Sequence, residues 1–505
     1  MSEPSSRSPR LPLFLGLAFL LILCAGGVLA WLLARQGIRS PLRVLLITAP
    51  APGRETGLEP AQERALGALV QDSLELGGRF AVSSVTEVPA DLAPFRSQPH
   101  VLLVRLEPRR LGDDLELSFQ YAWGQQIGTE GPVPWTLARG QAGKPSEAFD
   151  AFLRAFPQTV RTLPPDLMPK RPAVFWDLVR ASGWRLQNQR LEEAMALADQ
   201  TTRQEPSCGS TWILLGNLRY RRMLNSTTAF RQEQADTEAN LQRGLALVPG
   251  HPRGIFLASL LKADSGNQRD ALDLLLRARR KQPFNPTLLT GIAYAARNAG
   301  LLPLARRAMD LRDGLAFPQL QPQAVDITCL YTGEIPRFEA SLQEQPGHLR
   351  STSGVIPFYR GYLALVRGDR AQAKKEFHAV AALENGYPNI LRLAEIYDLI
   401  LDGQKDEAWQ KLREYDQERI GMREPDGEFT IRLAEAYALM GDRASAMDMA
   451  GRAFARGFGC TAWYDRSPLL EPLRGLPKWK ALIQHLRERQ KLMEDQFPPG
   501  LLEDN

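Results

Sequence analysis

The residues that most often carry catalysis are widely dispersed in this chain of 505 residues. Five histidines occur, and no two lie close together in sequence, so the sequence contains no local HExxH-type metal site. The four cysteines are each separated by more than a hundred positions, which excludes CxxC-type metal and redox motifs. No serine lies in a GxSxG sequence. We therefore predict no catalytic residue, no metal and no cofactor, with an enzyme assembled from distant residues as an alternative.

Two adjacent carboxylates, Asp113 and Asp114, could contribute to a metal site. They fall between two apolar runs at 101–106 and 115–121, and the second run alternates apolar and polar residues strictly. This alternation predicts a half-buried strand, and acidic residues between two strands favour a tight turn. The sequence therefore favours a solvated hairpin turn over a metal site.

A third kind of chemistry is peptide binding, for which amide, guanidinium and aromatic side chains are suited. Amides and guanidiniums bind peptide backbone or a carboxylate, and aromatic rings form pockets. Such residues recur at outward positions of the predicted helices, and the strongest candidates for a peptide-binding site are Asn217, Phe256, Tyr294, Arg297 and Asn298. The alternative for the aromatic residues is packing between helices. If the site lies elsewhere, the next candidates are Phe358, Tyr362 and Glu395.

The helical part of the chain that would carry these side chains repeats with a period of about 34 residues. This period is the length of one helical hairpin in several repeat architectures. Ala305 follows Ala271 by one such period, and Gly300 follows Gly266 by the same interval. Small residues at such positions let two paired helices approach closely. The spacing therefore predicts a series of similar helical hairpins.

Further motifs repeat within residues 174–458. Trp212 and Gly216 fall in a Trp-x-x-Leu-Gly pattern, and the hexapeptide RLAEIY returns later in the chain as RLAEAY. Together with the period, these motifs resemble the tetratricopeptide repeat (TPR) family. The resemblance implies a mainly α solenoid of stacked hairpins, whose concave face would bind a protein or an extended peptide. The unit around 326–347 departs from the pattern.

A small α/β domain is predicted at 43–160, before the repeats. Its predicted element order is β-α-β-β-β-α, and no Gly-rich phosphate loop follows the first strand. This order, with its acidic hairpin turn, is similar to the amino-terminal domain of TolB and to small domains that precede repeat arrays in some bacterial membrane proteins. A ligand sensor, in which this domain binds a small molecule and the array relays the signal, is therefore an alternative function.

The segment Leu11–Leu33 is a continuous apolar run without a charged side chain. As a helix it would extend about 35 Å, which is enough for a hydrocarbon core of about 30 Å. Arginines flank both ends, and Trp31 lies where an interfacial aromatic residue is expected. We predict a single-pass inner (plasma) membrane protein that contacts the membrane through Leu11–Leu33, with its bulk in the periplasm. A cleaved signal peptide is the alternative.

Bulk charge argues against a nucleic-acid partner. The net charge is +5, but residues 1–43 carry five arginines and one glutamate, so the rest of the chain sums to about +1. Arginine outnumbers lysine several-fold, as in proteins of GC-rich bacterial genomes.

The predicted organisation has six parts. They are an N-terminal tail at 1–10, a transmembrane helix at 11–33, the α/β domain at 43–160, a Pro-rich linker at 161–173, TPR-like repeats at 174–458, and a C-terminal helical cap and tail at 459–505. From this organisation we predict a membrane-anchored TPR scaffold that binds protein or peptide partners in envelope assembly or signalling. We predict no small-molecule substrate.

Overall fold

The computed structural model describes residues 41–48, 56–85, 95, 98, 100–127, 133–138, 142–157, 164–186, 190–225, 230–317, 325–343, 354–383, 387–421 and 427–503. Within these residues the protein is mainly helical, with one five-stranded sheet before the helices. The prediction of a mainly α fold with a small sheet near its N-terminus is confirmed.

The strands form one mixed sheet in the order β2-β1-β3-β4-β5. β1 is parallel to β2 and to β3, whereas β3 pairs antiparallel with β4, and β4 with β5. The sequence predicts the first four strands, and the short β5 is an addition. The strands are β1 Leu42–Ile47, β2 Phe80–Val85, β3 Val101–Leu111, β4 Asp114–Trp123 and β5 Thr136–Ala138.

Both faces of the sheet are buried. In β1, Val44 and Leu46 belong to one hydrophobic core, whereas Leu45 and Ile47 belong to another on the opposite face. Burial on both sides explains why this strand reads as an apolar run and not as an alternating one.

Helices cover one face of the sheet, and an aromatic side chain from the repeats covers the other. Helices α1 (Pro60–Glu75) and α2 (Pro145–Ala155) contribute to the first core. On the second face, Phe317 packs edge-on against Phe95, with 5.1 Å between ring centroids. The helical part therefore completes the core of the sheet.

The turn between β3 and β4 contains Asp113 and is exposed. Its carbonyl oxygen accepts a hydrogen bond from the indole N–H of Trp176 at 3.1 Å. The two adjacent carboxylates therefore lie at a solvated hairpin turn, which the sequence favoured over a metal site.

Eight consecutive helix pairs follow in the described residues. Each pair is an antiparallel hairpin, here numbered 1 to 8 in chain order. The hairpins are α3/α4 (Pro172–Leu186, Leu191–Gln204), α5/α6 (Gly209–Asn225, Phe230–Leu247), α7/α8 (Pro252–Asp264, Gln268–Lys281), α9/α10 (Pro286–Ala299, Leu302–Leu315), α11/α12 (Ile327–Thr332, Ile335–Ser341), α13/α14 (Val355–Val366, Arg370–Ala381), α15/α16 (Pro388–Leu401, Lys405–Gly421) and α17/α18 (Gly427–Met440, Arg443–Ala455).

The predicted period is present in hairpins 3 and 4. Helices α7 and α9 begin one period apart, and so do helices α8 and α10. Ala271 and Ala305 occupy equivalent positions and are both fully buried. Gly300 ends α9 with a φ of +84°, and a Cβ there would lie 2.4 Å from the carbonyl oxygen of Gly459. Ala271 and Ala305 are therefore buried where the period places them, and Gly300 allows the segment at Gly459 to approach the end of α9.

The array curves with the first helix of each hairpin on the inside. First helices contact one another along the array, for example α7 with α9 and α15 with α17. Second helices contact the first helix of their own hairpin and, beyond it, the first helix of the next hairpin, for example α4 with α5 and α8 with α9. Hairpin 5 is the shortest, and it coincides with the unit that departs from the TPR pattern.

A helical cap follows hairpin 8 and returns to the middle of the array. It consists of α19 (Thr461–Arg466), a 3-10 turn (Pro468–Leu473), α20 (Pro477–Gln496) and a second 3-10 turn (Pro499–Leu502). The last turn packs against α10, and Leu502 shares a hydrophobic core with Ala305. The C-terminal residues therefore contact hairpin 4, which lies far from them in sequence.

The sheet and the first two hairpins share one hydrophobic core. Leu167 and Met168, from the Pro-rich segment between them, are buried in the same core as Val44 of β1 and Leu215 of α5. This part of the segment is therefore packed in the protein interior and does not act as an open spacer.

The predicted single-pass inner-membrane localisation, with a periplasmic bulk, is contradicted and is corrected here. Within the described residues, no helix combines the length and the apolar composition needed to cross a bilayer. The longest described helix, α20, carries charged side chains along its whole length. Leu11–Leu33, on which the prediction depended, lies outside the described residues.

Replacing Ala271 with leucine tests the close packing of the hairpins. The residue is fully buried, and the added atoms have no space, so we expect a loss of about 1–3 kcal/mol in the free energy of unfolding. Ala379→Leu is a matched control, because Ala379 is exposed on α14 and should change stability by less than about 0.5 kcal/mol. Equal melting temperatures for the two variants would contradict the packing.

Candidate functional site on the inner face of the array

The inner face is the surface formed by the first helices α3, α5, α7, α9, α13, α15 and α17. All five residues predicted to bind a peptide lie on three of these helices, namely α5, α7 and α9. They therefore lie on the first helices of three consecutive hairpins, and the surroundings of each side chain decide what it can bind.

Asn217 and Phe256 contribute little open surface. Asn217 is buried, with 6% of its surface exposed. Phe256 is half-buried and points towards α9, where a Cβ at Gly291 would lie 3.1 Å from the Phe256 ring. Phe256 thus fills a space between α7 and α9, which is the packing role that the sequence left open as its alternative.

Tyr294 takes part in a buried hydrogen-bonded group that joins three hairpins. Its hydroxyl donates to Oδ1 of Asp264 at 2.6 Å, and the hydroxyl of Tyr220 donates to Oδ2. Burial raises the pKa of Asp264 to about 6, and the two tyrosine donors oppose this rise. One tyrosine from α5 and one from α9 therefore converge on a single carboxyl group of α7.

Arg297 forms a buried, bidentate ion pair with Glu428 of α17. The Nε–Oε1 and Nη2–Oε2 distances are both 2.9 Å, and the side chains are only 11% and 7% exposed. Burial opposes the charge of Arg297, but the Glu428 carboxylate raises its pKa above the usual value. Two parallel hydrogen bonds fix the relative orientation of the helices as well as their distance.

Asn298 is covered by the segment that leads into the cap. Its carbonyl oxygen accepts a hydrogen bond from the N–H of Gly459 at 2.6 Å, and its side-chain amide donates to the carbonyl oxygen of Tyr294 at 3.1 Å. Three of the predicted residues, Tyr294, Arg297 and Asn298, therefore have partners within the protein. Their role in peptide binding stays a prediction.

The second set of candidates lies partly in the core. Phe358 and Tyr362 are fully buried on α13. Glu395 on α15 is partly exposed and pairs with Lys411 of α16 at 2.8 Å. Of these three residues, only Glu395 reaches the surface.

A buried polar cluster lies between the last hairpin and hairpin 5. The guanidinium of Arg432 donates to the hydroxyl groups of Tyr331, at 2.9 Å, and Tyr362. It also pairs with Glu435 of its own helix, with an Nη1–Oε2 distance of 3.2 Å. Arg432 is 1% exposed, and Glu435 is fully buried.

The carboxylate of Glu435 receives further donors from the cap. The indole N–H of Trp463 donates to Oε1 at 2.9 Å, and the hydroxyl of Ser467 donates to the same oxygen at 2.8 Å. Tyr362 donates to the other oxygen at 2.6 Å. A buried charge pair is stabilising only where its remaining hydrogen-bonding capacity is satisfied, and here the donors come from α13, α17 and the cap. The cluster therefore positions the last hairpin and the cap.

Sequence analysis missed the acidic partners on the inner face. Glu428, Asp264 and Glu435 are all buried, although carboxylates are rarely buried unless they are paired. One signal was available for Glu435, because Arg432 lies three residues earlier in a stretch that is otherwise mostly apolar. A charged pair in an apolar stretch of helix indicates a buried pair. The nearly identical hexapeptide at 392–397 makes this signal ambiguous, because its glutamate, Glu395, is partly exposed.

Residues that could support metal or thiol chemistry are not grouped. In the part of the chain that the structure describes, no three His, Cys, Asp or Glu side chains could hold a metal ion together. The cysteines Cys208, Cys329 and Cys460 are buried, and burial raises the pKa of each thiol to about 12. A thiol with such a pKa is not a nucleophile at neutral pH.

Comparisons with known proteins contribute little to the assignment. No protein-family model matches the chain, and no curated protein matches it. Among solved structures, the chain is similar to the crystal structure of the P58(IPK) TPR domain, with 13% identity, a TM-score of 0.18, and coverage of 65% of this chain and 99% of that chain. A TM-score this low carries no argument, so the repeat assignment depends on the hairpins themselves.

Removing one partner of the Arg297–Glu428 pair should destabilise the protein strongly. Arg297→Met leaves the Glu428 carboxylate buried without its cation, which typically costs about 3–5 kcal/mol. The double variant Arg297→Met/Glu428→Met should be more stable than Arg297→Met alone, because no unpaired charge remains. Arg277→Met breaks an exposed pair and should cost less than about 1 kcal/mol. Thermal unfolding of the variants would measure these differences, and similar losses for Arg297→Met and Arg277→Met would contradict the buried pair.

Asp264 should make stability depend on pH. Its folded-state pKa of about 6 exceeds the ordinary value of 3.8, so its contribution is full below about pH 4 and is lost as the pH rises through 6. Relative to Asp264→Asn, the parent protein should lose roughly 3 kcal/mol between pH 4 and pH 7. Melting temperatures of both proteins across this range would measure the difference. A constant difference would show that the carboxyl group does not titrate there.

Proposed function

We propose that the chain is a scaffold that binds a protein or peptide partner within an assembly or signalling complex. The observation that carries this proposal is the series of eight helical hairpins in the described residues. Stacked hairpins expose a long, rigid surface made of many equivalent helices, and this surface suits an extended partner. The proposal includes no catalysis.

Internal contacts determine which part of the array is available to a partner. Around α9, the inner face contacts α17 and the segment before the cap, so the residues there already have intramolecular partners. The second helices of the hairpins lie on the outer side of the array. We therefore propose that a partner contacts the outer helices, which is a different location from the five inner residues predicted by sequence.

Trp409 on α16 is the strongest candidate contact on this outer side. It is 40% exposed, and it is the one aromatic residue among the exposed large hydrophobic residues in the described part of the chain. Arg413 lies over its ring at 4.5 Å from the centroid. An exposed tryptophan held in a fixed orientation is typical of a binding hot spot, because little side-chain entropy is lost on association.

Site-specific photo-crosslinking tests both the scaffold and this location. A photoreactive amino acid at position 409 of the full chain should capture one protein in stoichiometric amounts, and the purified partner should then bind the parent chain directly. Trp409→Ala should weaken that binding by about tenfold or more and leave the melting temperature within a few degrees. Leu492→Ala is the control, because Leu492 is 71% exposed on α20 and lies outside the proposed contact.

Two results would count against these proposals. The photoreactive amino acid can also be placed at position 492 in a second experiment. Failure to recover any stoichiometric partner from either position would contradict the scaffold function. Unchanged affinity of Trp409→Ala for a recovered partner would leave the scaffold function intact but would place the contact elsewhere.

One observation favours the ligand sensor as a second candidate function. Helix α1 of the sheet domain packs directly on the inner face of the array, where Asp72 pairs with Arg253 of hairpin 3 at 3.2 Å. Glu75, one turn further, accepts a hydrogen bond from Asn285 of hairpin 4 at 3.1 Å. A ligand bound at this contact would therefore act on the sheet domain and on the array together.

A further inference from the structure

The C-terminal end of α1 packs closely against the array at hairpins 3 and 4. Gly78 follows α1 with a φ of +70°, and a Cβ there would lie 2.5 Å from the carbonyl oxygen of Lys281, at the end of α8. A Cβ at Gly250, just before α7, would lie 3.6 Å from a methyl group of Leu76. This contact is called the α1 seam below. Side chains within it are shielded from water.

Glu75 is buried in the α1 seam and has no cationic partner. It is 1% exposed. Oε1 accepts a hydrogen bond from the side-chain amide of Gln71 at 2.9 Å, and Oε2 accepts one from the side-chain amide of Asn285 at 3.1 Å. Both donors are neutral, and Glu75 forms no ion pair with a described residue. Because a buried carboxylate without a paired cation is costly, its protonated form is favoured.

The charged groups closest to Glu75 do not change this conclusion. Arg253 of α7 lies within electrostatic range of Glu75, but its guanidinium pairs with Asp72 at 3.2 Å. Asp72 lies one turn before Glu75 on α1, and its charge opposes a second carboxylate. His251, just before α7, is buried, and burial lowers its pKa. The imidazole is therefore neutral and supplies no counter-charge.

Charged groups from the other elements around the seam are engaged elsewhere or exposed. Arg185 of α3 and Arg221 of α5 lie within electrostatic range of Arg253, and neither pairs with Glu75. Arg79 and Lys281, at the edges of the seam, are exposed to solvent. Burial therefore dominates, and it raises the pKa of Glu75 to about 8.

The sheet domain has a second attachment to the array, independent of this seam. Arg43 of β1 donates to the carbonyl oxygens of Leu315 and Ala316, at the end of α10, with distances of 3.2 and 2.9 Å. Its guanidinium also lies over the ring of Phe317, 4.3 Å from the centroid. A guanidinium does not titrate near neutral pH. This attachment therefore persists when the α1 seam changes.

From the buried, cation-free carboxyl group and the close packing around it, we propose that the α1 seam is a pH-sensitive switch, closed while Glu75 is protonated and loosened when it ionises. An ionised Glu75 requires water or a cation, and the close packing admits neither unless the end of α1 moves away from hairpins 3 and 4. Asn285 also caps α9, because its Oδ1 accepts the N–H of Leu288 at 3.1 Å. A change at Glu75 therefore reaches the array directly.

The direction of the pH dependence follows from the raised pKa. The folded-state value of about 8 exceeds the ordinary value of 4.5. The stabilisation from the closed seam is therefore full below about pH 4.5, declines above it, and is lost once the pH has risen through 8. This inference does not depend on the partner contact at Trp409.

Melting temperatures of the full chain and of Glu75→Gln between pH 6 and pH 9 test the titration. Glutamine keeps the shape of the protonated side chain and cannot ionise. We expect the parent to lose about 2–5 °C relative to Glu75→Gln across this range, and the variant to be the more stable protein at pH 9. Asp264 is present in both proteins, so its titration cancels in the comparison.

Hydrogen exchange shows where the protein opens. After correction for the intrinsic pH dependence of exchange, the backbone amides of residues 72–78 should exchange at least about tenfold faster at pH 8.5 than at pH 6 in the parent. They should not do so in Glu75→Gln. The amides of α10 are the internal reference, because the attachment through Arg43 does not titrate, and their protection should stay constant.

Glu63→Gln is the matched control. Glu63 lies near the other end of α1, is 7% exposed, and accepts a hydrogen bond from the hydroxyl of Thr56 at 2.7 Å. This variant should keep the full pH response in both measurements. A response lost equally in Glu63→Gln and Glu75→Gln would contradict the assignment to Glu75.

Three further outcomes would overturn the proposal. Equal pH responses of the parent and Glu75→Gln would show that Glu75 does not titrate in this range. Loss of protection to the same extent in residues 72–78 and in α10 would show general destabilisation and not a local switch. If Glu75→Gln fails to fold, the parent alone decides, because constant protection of residues 72–78 between pH 6 and pH 8.5 would contradict the proposal.

Discussion

The arrangement of the helical array depends on one ion pair between residues that are 131 positions apart in the chain, Arg297 and Glu428. Because the pair is buried and bidentate, it holds α17 against α9 in one orientation. Tyr331 lies within electrostatic range of both partners and also accepts a hydrogen bond from Arg432. The ion pair and the buried cluster at Arg432 therefore form one continuous polar layer, around which hairpins 4, 5 and 8 pack.

Because of this polar layer, much of the inner face of the array is not available to a partner. A TPR-like array is expected to leave its inner face open for a partner, but here much of that face is protein interior. Helix α1 packs on α3 and α7, the first helices of hairpins 1 and 3, and the last hairpin and the cap contact hairpin 4. Segments of the chain itself therefore cover much of the inner face. The partner contact that we propose therefore lies on the outer helices.

Local features of this fold could be predicted from sequence, because they follow from spacing and side-chain size. Ala271 and Ala305 are buried where the repeat period places them, and the apolar runs of the sheet domain form β1 to β4. The short β5 carries no such signal, since two of its three residues are exposed. Helix propensity and repeat period depend on residues that are close together in the chain, so they can be read from a single sequence.

Long-range contacts could not be predicted in the same way. The hexapeptides at 392–397 and 432–437 are nearly identical, yet Glu395 pairs with a lysine at the surface whereas Glu435 is fully buried. The difference comes from the cap, which covers α17 and leaves α15 open. Likewise, the sequence of α9 alone suggests that Arg297 is available to bind a peptide. The structure shows that Arg297 pairs with Glu428, which lies much later in the chain. Both cases depend on contacts between residues that are far apart in the chain, and the pattern along one helix does not record such contacts.

The return of the C-terminus has a consequence for how such a chain can change its length. In an open solenoid each hairpin touches only its neighbours, so hairpins can be gained or lost with little effect on the others. Here Glu428 must reach Arg297, Gly459 must reach Asn298, and the carbonyl oxygen of Leu502 accepts a hydrogen bond from Arg279 at 3.2 Å. Duplication or deletion of one hairpin after α9 would displace all three contacts at once. Gain or loss of whole hairpins by recombination is therefore incompatible with the contacts of this half of the molecule. We expect this half to vary by point substitution and by changes in its loops.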